Sequence, residues 1–79
     1  MARLLELAQV ARGDGGLAWQ VSIRDLRRYM DSIEPERFRQ ELAEISEPDL
    51  LRQIQAAGAR GRRFLVLLDR IAEIREGGA

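Results

Sequence analysis

Apolar residues recur at three- and four-residue spacing in five separate stretches, and Gly, Pro or Ser signals stand between them. No stretch alternates over a length that could pair into a sheet. This punctuation predicts an all-α fold: a compact bundle of five short helices, six if residues 17–21 are helical, joined by short turns. At 79 residues the chain forms one domain over residues 1–79. A domain of this size buries about 60–65% of its unfolded surface, so its core is small. With no Cys, no disulfide adds to its stability, and association with another chain or a second copy is the remaining route to a larger core.

The first helix is predicted over about residues 2–12, where Leu4, Leu7, Ala8 and Ala11 share a face and Gly13 stands as the C′ residue. Residues 13–21 read as a flexible loop and connector. Gly13-Asp14-Gly15-Gly16 is the loop, and the alternation of Leu17, Trp19 and Val21 suggests an extended or 3₁₀ arm. The second helix covers about 22–33, opened by a Ser22/Asp25 capping pair, with Ile23, Leu26, Tyr29, Met30 and Ile33 on one side. The third covers about 35–45 behind Pro35, and the fourth about 47–57 behind Ser46 as N-cap, ending at Gly58. The fifth covers about 61–75, and residues 77–79 read as a frayed tail or a cut before a further domain.

The fifth segment is unusual. Phe64, Leu65, Leu67, Leu68, Ile71, Ala72 and Ile74 span about 180° of the helical wheel, wider than one packed face needs. Val66 falls outside even that arc, among Arg62, Asp69, Arg70 and Glu73. This helix is therefore either central or has a second apolar contact. The wheel places Leu68 in the core, so that Leu68→Ala costs about 2–5 kcal/mol. It places Val66 on the surface, where Val66→Glu leaves the fold intact.

Composition excludes most catalytic chemistry. All 13 cationic residues are Arg, and the chain has no Lys, His, Cys, Thr or Asn. There is no thiolate nucleophile, no imidazole, no ordinary zinc site, no Schiff-base or P-loop lysine. Ser22, Ser32 and Ser46 sit at or near predicted helix starts, where capping accounts for them. The expectation is a non-enzyme with no cofactor, metal or small-molecule substrate. The longest purely apolar run is Phe64–Leu68, far short of the roughly 20 residues of a membrane span. Glu6 interrupts the start of the chain too early for a signal peptide, so the expected location is cytoplasmic.

Charge supplies the remaining clues. Net charge is zero, but residues 34–57 carry three Arg and six acids, and residues 58–79 carry five Arg and three acids. Such segregation suits head-to-tail stacking or a charged partner. Arg60, Arg62 and Arg63 crowd the start of the fifth helix, where cations oppose the helix dipole by a few tenths of a kcal/mol each. With Val66, Arg70 and Trp19 they form a candidate partner-binding set. Arg24, Arg27 and Arg28 on the second helix form a candidate nucleic-acid-binding set. Zero net charge and the lack of Asn and Thr for base readout weigh against the latter.

No motif names a family. The expected function is a non-catalytic protein–protein interaction module, a small adaptor or self-associating domain, with a homo-oligomer as one form. The alternative is a small helical DNA-binding regulator. Short antiparallel helices in such a chain are also the build of death-like interaction domains and of several helix-turn-helix regulators, an analogy of architecture alone.

Overall fold

Proline and glycine set most of the helix boundaries in the computed structural model, which describes residues 2–77. The described residues form an all-α bundle of five helices: α1 (Arg3–Gly13), α2 (Gly16–Ser32), α3 (Pro35–Leu42), α4 (Pro48–Ala56) and α5 (Arg62–Gly77). Pro35 and Pro48 each open a helix, where the missing N–H costs nothing and the fixed φ is already helical. The turn from α4 to α5 depends on Gly58 and Gly61, at φ 90° and 58°, in the left-handed region that disfavours residues with a Cβ.

Residues 13–21 are not a long connector. Only Asp14 and Gly15 separate α1 from α2, and Leu17, Trp19 and Val21 belong to the first turns of α2. Trp19 lies on the face of Ile23, Leu26 and Met30, four, seven and eleven residues on, so helical packing overrides the alternation. Leu17 and Val21 point outward and are exposed. Gly13 is the last residue of α1 and does not take a left-handed conformation; Asp14 follows in extended geometry.

The serines also differ from expectation. Ser22 is inside α2, and its hydroxyl donates to the Asp14 carboxylate at 2.5 Å, tying α2 back to the turn. Ser32 ends α2 and donates to the Tyr29 carbonyl at 2.7 Å. The N-cap of α4 is Glu47, not Ser46, and it makes no side-chain cap bond. Gly77 is the last residue of α5; the remaining two residues of the expected tail lie outside those described.

The core is built from Leu4 and Ala8 of α1, Leu26 and Met30 of α2, Phe38 and Leu42 of α3, Leu50, Leu51 and Ile54 of α4, and Val66 and Leu67 of α5. Helices α1 and α4 are the central pair, each packed on three others, whereas α5 packs on α3 and α4. The most apolar helix is therefore peripheral. This rotates the assignment of its residues. Val66 is buried, at 5% exposure, and Leu68 is 41% exposed. Leu68→Ala is accordingly expected to cost about 1 kcal/mol or less in a urea melt, in place of a core-sized loss. Val66→Glu is expected to destabilise by about 2 kcal/mol or more in the same assay, because a carboxylate would have to replace a packed methyl pair.

Candidate functional site

On α5, successive residues advance by about 100° around the axis, so Leu65, Leu68 and Ala72 fall on one stripe with Phe64 at its margin. Val66, Arg63, Ile74 and Leu67 fall on the other side, against α3 and α4. Leu65 is 61% exposed and Phe64 38%, and Ala72 is exposed as well. Helix α5 thus carries two apolar faces, one filling the bundle and one turned to solvent. Isolated apolar residues on a surface are ordinary, whereas several contiguous ones on one ridge form a candidate contact surface. Leu17 and Val21 on α2 form a shorter exposed pair, cut off after one turn by Arg24, Asp25 and Arg28.

Grooves of about 480 Å³ flank the ridge on both sides. Toward α4 the groove is floored by Leu51, Ile71 and Ile74 and rimmed by Arg52 and Arg75. Toward α3 it is charged, with Glu34, Glu36 and Arg39 facing Arg62 and Asp69 across Val66. Arg62, Asp69 and Glu76 are all exposed and recur every seven residues, so they line one edge of the ridge.

The arginines singled out from sequence divide between surface and scaffold. Arg60 and Arg62 are exposed. Arg63 is half-buried, and its Nη2 donates to the Ile33 carbonyl at 2.6 Å, closing the C-terminal end of α2. Arg70 donates from Nε to the Ile45 carbonyl and from Nη2 to the Ala43 carbonyl, both at 3.1 Å. It therefore satisfies carbonyls just past the end of α3 and is engaged within the fold. Trp19 is half-buried, with its indole N–H on Gln53 Oε1 at 2.8 Å, and joins α2 to α4. Val66 leaves the candidate surface because it is buried on the side of α5 that packs on the bundle, and Leu65 and Leu68 take its place.

Arg24, Arg27 and Arg28 are exposed along α2, and Arg27 pairs with Asp31 one turn on, at 3.9 Å. The Arg27 guanidinium also reaches the α4–α5 turn, 3.9 Å from where a Cβ on Gly58 would stand. One arginine of the α2 group thus lies beside the turn whose sequence includes Arg60.

One charged residue that sequence reasoning did not single out ties three helices together. Glu41 is buried at 3% exposure. Its carboxylate accepts from the Leu4 N–H at 2.8 Å, the Tyr29 hydroxyl at 2.6 Å and Arg37 Nε at 2.8 Å. Leu4 is at the second position of α1, so Glu41 of α3 supplies the N-terminal cap that α1 lacks locally. Burial pushes the Glu41 carboxyl up, but the three donors outweigh it and hold the group below the ordinary carboxyl range. Burial, with the Glu41 carboxylate beside it, pushes the Tyr29 phenol up. The only local trace of this site in the sequence is the i,i+4 spacing of Arg37 and Glu41.

Among the described residues, no three His, Cys, Asp or Glu side chains are grouped to hold a metal ion. Nor is any helix among them long and apolar enough to cross a membrane. The architecture of the described residues is that of a small all-α bundle with an exposed apolar ridge on α5. No family profile, curated protein or solved structure matches the chain.

Proposed function

We propose that the chain is a non-catalytic protein–protein interaction module that docks through the outward ridge of α5. The observation that carries this reading is the exposure of Phe64, Leu65 and Leu68 together on one helix. Leaving them in water forgoes several kcal/mol of transfer free energy that a partner surface would recover. Arg62 and Arg75 at the rims add charge-assisted contacts that select which partner fits.

A photo-crosslinking amino acid at position 65 tests the reading in cells. It should yield a covalent polypeptide adduct, whereas the same group at exposed Gln40 on α3 should not. Equal, background-level labelling at both positions would overturn it.

A second reading, nucleic-acid binding, is favoured by the approach of Arg27 to the turn that holds Arg60. It requires a gel shift on random duplex that weakens steeply with salt; no shift at about 50 mM salt removes it.

A further inference from the structure

We propose that the occupant of the α5 ridge is a second copy of this chain, with the two α5 helices packed antiparallel about a two-fold axis at the level of Asp69. The inference rests on the docking reading above and adds the identity and direction of the partner. Its basis is the charge pattern along one edge of the ridge: Arg62, Asp69 and Glu76, at seven-residue intervals and all exposed.

A two-fold axis perpendicular to an antiparallel helix pair brings like edges together while reversing their direction. Arg62 of each copy then lies level with Glu76 of the other, which gives two attractive pairs, and Asp69 lies near its own counterpart. A parallel two-fold would set this edge against the opposite one, of Phe64, Ile71 and Arg75, where Arg62 and Asp69 meet no counter-charge and only Glu76 does. The two Arg62–Glu76 pairs therefore favour the antiparallel direction at the expense of one repulsive contact. Two attractive pairs on a single edge are the signature of self-complementarity.

The apolar residues fit the same register. Leu65, Leu68 and Ala72 at i, i+3 and i+7 form the seam of a short two-helix pairing. Leu68 falls level with the gap between Leu68 and Ala72 of the other copy, and the small Ala72 side chain allows the two helices to approach closely. From the exposures of Phe64, Leu65 and Leu68 and the exposed Ala72, the apolar area offered is on the order of 300 Å² per copy. Such an apolar seam is smaller than that of a standard specific interface, so its charged rim must contribute to the contact. The dimer is accordingly weak and reversible, with a Kd on the order of 10–100 µM.

Sedimentation equilibrium on the full chain, from about 5 to 500 µM, reads this directly. The wild type should pass from monomer to dimer mass across that range. Leu68→Asp, at an exposed position, should stay monomeric throughout while keeping the wild-type circular dichroism spectrum. Arg62→Glu and Glu76→Arg should each weaken association about tenfold, since each turns two attractive pairs repulsive. Neither threatens the helix, because each puts a charge of the favourable sign at its end of the dipole.

An equimolar mixture of these two variants should associate nearly as well as the wild type, because both 62–76 pairs in the mixed dimer are again opposite in sign. Asp69→Asn should tighten the dimer severalfold by removing the contact at the axis. A wild type that remains monomeric at the highest concentration, or a mixture no tighter than either variant alone, would overturn self-pairing. If the chain stays monomeric while position 65 crosslinks to a different polypeptide in cells, self-pairing fails and the docking reading stands. If position 65 crosslinks to nothing, the docking reading fails as well.

Discussion

Phe38→Ala is expected to remove about 3–5 kcal/mol of stability, most of what a chain of this length possesses. Phe38 is fully buried and comes from α3, a helix of eight residues that has no other large aromatic to hold it. It belongs to the core cluster, and its helix packs on α1 and α5, so its removal leaves a cavity in the interior. Those neighbours cannot close the gap without giving up their own packing. Urea unfolding followed by circular dichroism measures the loss. Phe38→Leu, which keeps most of the volume, should lose far less, about 1–1.5 kcal/mol. Near-equal effects of the two substitutions would mean that α3 is held by something other than this side chain.

Glu41→Ala is expected to cost about 3 kcal/mol, because it strands the buried Leu4 N–H and the Tyr29 hydroxyl at once. Glu41→Gln keeps one carbonyl acceptor and should cost about half as much. The distinguishing readout is the dependence on acid. The folded-state carboxyl lies below its ordinary value of 4.5, so the unfolded chain binds the proton more readily. Its contribution is therefore complete above that value and is lost as pH falls through the lower folded one. Wild-type stability should decline in that window, and the decline should shrink in Glu41→Gln. The Tyr29 phenol has the opposite sign. Its contribution is complete below its ordinary value of 10.0 and is lost only as pH rises through the higher folded one. Amide exchange at Leu4 gives an independent check, since it should accelerate in Glu41→Ala if the carboxylate is the cap of α1. An unchanged Leu4 exchange rate would sink the capping assignment.

Much of this architecture was legible from local signals. Pro35, Pro48 and Gly58 mark boundaries through backbone restrictions that act wherever those residues occur. The excess apolar width of the last helix was equally legible, and it corresponds to a ridge that remains exposed. The connector at 17–21 was misread because three large residues alternating over five positions fit an extended arm as well as a helix turn. Trp19 is drawn into helical register by Leu26 and Met30, which lie beyond so short a window.

Val66 and Leu68 show where a helical wheel reaches its limit. A wheel centres the buried face on the densest apolar arc. On α5 that arc is about 180° wide, and the neighbours α3 and α4 cover only one side of it. The side they cover includes Val66 and Leu67 and leaves out Leu65 and Leu68. Glu41 is a similar case, because the donor that requires its burial is 37 residues away in the chain, on another helix.

The amino-acid sequence alone determined that this chain is helical, that it divides into five segments, and that its last helix holds more apolar surface than a single face can use. These are properties of residues within a turn or two of one another, set by backbone restriction and by the 3.6-residue period. Only the tertiary structure decided which side of α5 turns inward, which arginines hold the scaffold and which remain free at the surface, and why one carboxylate lies in the core. Each of those outcomes depends on which helices stand next to which, and that follows from packing the whole chain at once.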